Sequence, residues 1–254
     1  MKLRGETRAA AALLVISFAV AGMAAAGVGL PTYHLDVSFD LPRSKLIGTA
    51  RIDVPPGTEL SIDRGDLRIL SLMNGGRRVV PDAPASDVFT LRADGRVQIG
   101  FEGIFDGSDE DVIGEDTILL RNIWYPVAKG TYVYRLSATL PRDFVAVSEA
   151  DRLRRTEAGG QATFAFDLPY PQRHWKGISF VASRQWASRD ARYKDIDLSI
   201  HVLRRNAGRL DAMIGQTQRY LQRLEALLGK YPYRRCSTAG RGCARRSRRA
   251  PPGR

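Results

Sequence analysis

Apolar and polar residues alternate with a period of two along most of the chain from Thr32 to Leu203. The segment YHLDVSF, residues 33–39, places apolar side chains at its odd-numbered positions and polar side chains at the even-numbered ones. This period puts the two sets on opposite faces of a β-strand. The segment LIGTARIDV, residues 46–54, repeats the pattern after a short break, so the two segments predict an antiparallel hairpin.

Further segments extend the β pattern. VFTLRADGRVQIGF, residues 88–101, has Asp94-Gly95 between two alternating runs, which predicts a second hairpin with a type I′ turn. Closely spaced strands with Pro and Gly turns predict a mostly β chain, with a saddle-like β-sandwich domain that we place at 27–203. The remaining strands are predicted at 60–63, 67–73, 131–141, 144–148, 162–167, 177–183 and 196–203.

A change of period at Asn206 predicts a single amphipathic helix that ends before Gly229. We assign it, with the segment that follows, to a second unit at 204–235. A helix face that nothing covers exposes apolar surface, so we expect self-association through it. The residues of that face are Leu210, Ile214, Leu221, Leu224 and Leu228.

The net charge of +12 is concentrated at the two ends of the chain. Residues 234–254 hold eight Arg and no acid, and residues 1–26 carry a net +2, which leaves only +2 for residues 27–233. A nearly neutral body has no general affinity for phosphate backbones. The charge pattern therefore argues against a nucleic-acid partner.

The N-terminus predicts a signal peptide at 1–26. A basic start precedes the apolar run 9–20. Ala24-Ala25-Ala26 provides the small residues of an A-x-A cleavage site. An uncleaved membrane anchor is the alternative, but the run is short for a membrane span. We expect an exported chain, periplasmic or extracellular, with no membrane span after cleavage.

The order of several short motifs resembles the N-terminal half of the alanyl-aminopeptidase family of zinc metallopeptidases. NIWYP (122–126), KGISFVASRQW (176–186) and the strand motif centred on 131–148 occur in sequence before the helix and GKYPY (229–233). The residues that echo the family's strand motif are Tyr134, Leu136, Pro141, Phe144, Ala146, Val147 and Ser148. The resemblance covers about residues 32–235. It implies that the helix is the first element of an incomplete, thermolysin-like catalytic domain.

The same resemblance implies a zinc ion held by H-E-x-x-H and a later Glu, with the first Glu activating water. This sequence has only His34, His174 and His201, and none has another His four residues away. We therefore predict no catalytic residue, no metal ligand and no cofactor in this chain, although intact relatives hold zinc. A peptide substrate is expected only in those relatives.

Residues 236–254 consist mainly of Arg, Gly, Ala, Ser, Pro and Cys. Such composition predicts a disordered tail, and it is typical of GC-rich coding sequence read out of frame, so we expect a frameshifted or truncated product. A tail that binds an anionic surface is the alternative. Its cysteines, Cys236 and Cys243, do not have the spacing of a familiar zinc site.

Three other features have structural interpretations. The acidic segment 106–116 lacks the Gly and Glu positions of a calcium loop and is predicted to be a solvated loop. His174 and Trp175 are predicted to lie in a turn. The alternative is that these two side chains line a groove. His34 and His201 occupy strand positions and are expected to be ordinary surface or half-buried residues.

These observations favour a truncated, exported, aminopeptidase-like protein without activity of its own. The alternative is a non-enzymatic exported β-sandwich that binds a partner or a carbohydrate. A third hypothesis is surface association through the Arg-rich tail. The family activity in question is the zinc-dependent removal of N-terminal residues from peptides.

Overall fold

The computed structural model describes residues 31–79, 87–107, 111–173 and 177–240. The predicted signal peptide, the chain beyond residue 240, and His174 with Trp175 lie outside these ranges. The strands within them are β1 (Thr32–Asp40), β2 (Lys45–Asp53), β3 (Glu59–Asp63), β4 (Arg68–Asn74), β5 (Arg77–Arg78), β6 (Val88–Arg92), β7 (Arg96–Ile104), β8 (Val112–Ile113), β9 (Thr117–Leu120), β10 (Val127–Ala128), β11 (Thr131–Pro141), β12 (Val145–Ser148), β13 (Arg152–Ala158), β14 (Gln161–Arg173), β15 (Phe180–Ser183), β16 (Trp186–Tyr193), β17 (Ile196–Leu203) and β18 (Arg235–Gly240). The α-helix is α1 (Leu210–Leu228), and short 3-10 helices occupy Leu41–Arg43 and Arg204–Arg209.

An eight-stranded sheet in the order β13-β14-β11-β1-β2-β7-β4-β5 forms the main layer. Two smaller sheets, β10-β3-β6 and β12-β15-β9-β8, share one hydrophobic core with it. Tyr33, Leu35 and Val37 of β1 are buried in this core, whereas Asp36 and Ser38 are exposed on the other face. The predicted β-sandwich is confirmed, because the period of two separates a core face from an open face.

The first predicted hairpin is confirmed, since β1 and β2 pair antiparallel over their full lengths. The second is wrong: β6 pairs with β3 in a small sheet, whereas β7 pairs with β2 and β4 in the large one. A type I′ turn requires positive φ at both central residues. Only Gly95, with φ 83°, has it, and Asp94 does not. The Asp94-Gly95 turn therefore transfers the chain between sheets.

The side chain of Asn74 holds this transfer in place. Its Nδ2 donates to the carbonyl oxygen of Arg92 at 2.8 Å, and its Oδ1 accepts from the backbone N–H of Asp94 at 2.7 Å. Gly57 N–H also donates to the carbonyl oxygen of Ala93 at 2.7 Å. These bonds satisfy backbone groups that a hairpin would have paired within itself.

The second unit begins earlier in the chain than the sequence predicts. β16 and β17, which we assigned to the β-sandwich, form a separate sheet with β18 in the order β16-β17-β18. α1 packs on this sheet: Leu210 contacts the cluster of Ile200 and Val202. Farther along, Leu221 contacts the cluster of Ile196 and Leu198.

The predicted helix face is therefore partly covered within the chain. Leu210 and Leu221 are buried, and Ile214 and Leu224 are half-buried. Leu228 is 81% exposed, as is Leu227. The apolar surface that remains open is the C-terminal end of α1 rather than its whole face.

The predicted tail boundary at 236 is also corrected. β18 runs parallel to β17, from the pair Asp197–Arg235 to the pair Val202–Gly240. A β-ladder is formed by backbone N–H and C=O groups, so it tolerates the small and polar residues of this segment. Cys236 adds an apolar contact, because it packs against the cluster that contains Leu221.

In the part of the chain that the structure describes, no helix combines the length and the hydropathy needed to cross a bilayer.

Candidate functional site

A cleft of about 470 Å³ separates the edge of the β-sandwich from the second unit. The side chains that line it come from β12, β14 and β15 on one wall, and from β18 and the segment before it on the other. The lining residues are Val147, Ser148, Glu149, Ala150, Leu168, Ser179, Val181, Tyr231, Tyr233, Arg235 and Ser237.

Glu149 is the only acidic residue among the lining residues. It is exposed, and its Oε1 accepts a hydrogen bond from the backbone N–H of Ser179 at 3.0 Å. Ser148 strengthens the same connection, since its Oγ donates to the carbonyl oxygen of Ser179 at 2.7 Å. The sandwich therefore holds this exposed carboxylate at the cleft.

Two tyrosines of the YPY motif form the opposite wall. The rings of Tyr231 and Tyr233 meet edge to face, with centroids 5.6 Å apart. Burial, followed by the neighbouring Cys236, raises the pKa of Tyr231 to about 12, so its hydroxyl is protonated at neutral pH. Glu225 of α1 fixes the start of this segment by accepting from Tyr231 N–H at 3.2 Å.

A buried carboxylate joins the two units beside the cleft. Asp151, 8% exposed, follows β12 and accepts from the backbone N–H of Arg234 at 2.6 Å. The backbone N–H of Asp151 donates to the carbonyl oxygen of Asp167 in β14 at 3.0 Å. The beginning of β18 is thereby attached to the β-sandwich.

Arg235 is the only basic residue among the lining residues. Its Nη2 donates to Ser199 Oγ at 2.8 Å, and its Nε donates to Ser237 Oγ at 3.1 Å. Ser199 in turn donates to Asp190 Oδ1 at 2.7 Å. This network orients the guanidinium and leaves further N–H groups for a ligand.

His201 lies on the same face of β17 as Ser199, because the two are separated by one residue. Only 6% of it is exposed, its Nδ1 lies 2.8 Å from Ser188 Oγ, and its ring stacks on Trp186. Burial lowers its pKa to about 4, with Asp190 opposing and Arg235 reinforcing the shift. It is thus a neutral core residue at pH 7, more buried than the sequence predicts.

The described residues do not fit a catalytic zinc ion. A catalytic zinc has three protein ligands, and no three His, Cys, Asp or Glu side chains converge within the described ranges. His201 is engaged with Ser188, and His34 faces Asp53 with 3.9 Å between Nε2 and Oδ2.

We predicted that the acidic segment 106–116 is a solvated loop, but one of its carboxylates is buried. Asp111, 4% exposed, accepts from the backbone N–H groups of Arg121 at 2.8 Å and Asn122 at 3.2 Å. This carboxylate therefore supports the loop that leads to the buried Trp124 and Tyr125.

Sequence reasoning identified the YPY motif but not the cleft. Glu149 and Arg235 are 86 positions apart, and no spacing rule connects them. The sequence did contain one signal for the cleft. Ser148 and Tyr231 belong to two of the short motifs on which the family resemblance rests. The cleft brings these two motifs together.

No family model matches the sequence, and no curated protein matches it. Among solved structures, the chain is similar to a mutant M1 zinc metallopeptidase from Deinococcus radiodurans bound to a Tyr-Ser-Ala substrate. The TM-score is 0.66 at 16% identity, over 83% of this chain and 56% of that one. The same metallopeptidase without that mutation gives a TM-score of 0.63 at 16% identity, with the same coverage of both chains.

A two-domain M1 zinc metallopeptidase mutant bound to L-arginine is also similar, with a TM-score of 0.63 at 17% identity over 83% of this chain and 56% of that one. This chain thus spans just over half the length of the metallopeptidases it matches. Identity at this level shows the fold alone. The described chain has a fold that resembles the N-terminal domain of M1 aminopeptidases.

Proposed function

We propose that this chain is the N-terminal, peptide-contacting part of an exported aminopeptidase of the M1 type, and that the chain itself does not cleave peptides. The fold supports this proposal, because a metallopeptidase of similar fold was solved with a Tyr-Ser-Ala substrate. The segment at 1–26 supports export. The absence of H-E-x-x-H from the printed sequence supports the lack of hydrolysis.

The observation that carries the proposal is the pair of opposite charges in the cleft. Glu149 on one wall can accept from the ammonium group at the N-terminus of a peptide. Arg235 on the other wall can donate to a peptide carbonyl or carboxylate. Tyr231 and Tyr233, on the same wall as Arg235, supply aromatic surface for a side chain of the peptide.

Binding of a tripeptide to the full chain tests the peptide-contacting role. Titration calorimetry with Tyr-Ser-Ala should show binding that N-terminal acetylation abolishes. Glu149→Gln should weaken it about tenfold, since a charge-assisted hydrogen bond contributes about 1.5 kcal/mol or more. Glu59→Gln, an exposed control on β3, should leave it unchanged. Equal binding of the acetylated peptide would contradict the proposed role of Glu149.

An aminoacyl-anilide assay tests the second half of the proposal. The purified chain should release no aniline product, with or without added zinc. Metal analysis of the same preparation should find less than one zinc per chain. Turnover that coincides with one bound zinc per chain would overturn the proposed lack of hydrolysis, while leaving the cleft's peptide binding to be judged from the calorimetry.

A further inference from the structure

A second groove, of about 440 Å³, lies on the open face of the eight-stranded sheet. Its lining crosses five adjacent strands, β2, β1, β11, β14 and β13. Four arginines outnumber two aspartates among its charged residues. These six are Arg51, Arg135, Arg152, Arg154, Asp36 and Asp167.

The strand register places three of the arginines in one row across the sheet. Arg51 pairs with His34, His34 with Arg135, Arg135 with Asp167, and Asp167 with Arg152. The arginines therefore occupy every second strand. Because neighbouring strands lie about 4.8 Å apart, successive arginines of the row are separated by about 10 Å.

The two aspartates offset only part of the charge of the four arginines. Within the described ranges, Arg51, Arg152 and Arg154 form no ion pair, and Arg135 approaches Asp167 only at 3.7 Å. The side chain of Arg135 is 60% exposed. Burial, then Arg51 and Arg135, lower the pKa of His34, so its imidazole is neutral at pH 7 and leaves the arginines to attract anions.

We propose that this groove binds an extended acidic peptide, whose carboxylates at every third residue meet Arg51, Arg135 and Arg152. A chain in the extended polyproline II conformation has three residues per turn and rises about 3.1 Å per residue, so acids three residues apart lie on one side, about 9 Å apart, close to the arginine spacing of about 10 Å. Arginine suits this role because its planar guanidinium can bind a carboxylate through two parallel hydrogen bonds. Ser137, also in the lining, offers a hydroxyl to the peptide backbone.

Fluorescence anisotropy of two labelled peptides with the full chain tests the proposal. One peptide carries Glu at every third position, and the other carries the same residues with the Glu clustered. The first should bind about tenfold more tightly or better, because only its carboxylates match the arginine row. The basic C-terminal residues are present in every protein compared, so their attraction for acids does not produce this difference.

Variants with equal loss of charge complete the test. Arg51→Gln/Arg135→Gln/Arg152→Gln should weaken binding of the spaced peptide about tenfold or more, since three partly exposed charge pairs are lost. The control Arg205→Gln/Arg219→Gln/Arg223→Gln removes three exposed arginines outside the groove and should change binding by less than about twofold.

Three outcomes would overturn the inference. They are equal binding of the two peptides, equal weakening by the two triple variants, and binding of polygalacturonate, abolished by the triple variant of the groove, at concentrations where neither peptide binds. The last outcome would assign the groove to an acidic polysaccharide instead.

Discussion

His201 makes the stability of this protein sensitive to acid at the scale of one residue. Its pKa is lowered to about 4 in the folded chain, mainly by burial, against about 6.5 in an unfolded chain. Between these values the unfolded state binds more protons than the folded state, so stability falls as pH falls. The part of the unfolding free energy that depends on neutral His201 is about 3 kcal/mol above pH 6.5. It is lost progressively between about pH 6.5 and pH 4.

We therefore expect His201→Gln to reduce the slope of unfolding free energy against pH in that interval. Urea unfolding at pH 7.0, 5.5 and 4.5 measures the slope for both proteins. Acidic residues that titrate in the same interval are common to the two proteins, so their effect cancels in the comparison. Identical slopes would show that His201 takes up no proton on unfolding in this range.

At the scale of the element, α1 has two classes of leucine. Leu221 is 1% exposed and contacts the cluster of Ile196 and Leu198, whereas Leu227 is 81% exposed. Leu221→Ala should cost about 2–5 kcal/mol, because it leaves a cavity between helix and sheet. Leu227→Ala on the same helix should change stability by less than about 0.5 kcal/mol.

Urea denaturation of both variants, followed by circular dichroism, measures this difference. A small cost at Leu221 would mean that α1 does not pack on β17 in solution. A cost at Leu227 comparable to that at Leu221 would mean that another part of the molecule covers the end of the helix.

At the scale of the whole molecule, the open end of α1 is the surface through which we predict self-association. Leu227 and Leu228 are each 81% exposed, and Tyr220 is 62% exposed. Exposed apolar clusters promote association. Sedimentation velocity over a hundredfold concentration range should show reversible oligomers and accompanying binding of a hydrophobic dye.

Leu227→Lys/Leu228→Lys should shift this equilibrium toward monomer without a loss of thermal stability, since neither side chain is buried. Ala226→Lys, at an exposed neighbouring position, serves as the control for added charge. Monomeric behaviour of the unmodified chain at high concentration, without dye binding, would contradict the prediction.

Some of the fold and of the candidate site could be predicted from the sequence pattern, whereas other parts required the tertiary structure. The alternation in 33–39 and 46–54 determined the core face of β1 and β2, because a strand's side chains can only alternate between its two faces. The change of period determined α1. The partner of β6, the sheet shared by β16 and β18, and the cleft between Glu149 and Arg235 required the tertiary structure.

The amino-acid sequence by itself determined a β-sandwich followed by an amphipathic helix, and a body with little net charge between basic ends. Only the tertiary structure decided that residues 236–240 continue a sheet and that four arginines from three strands line one groove. The physical reason is that strand pairing is made by backbone groups, which every residue except proline carries alike. Which strands become neighbours therefore depends on the packing of the whole chain.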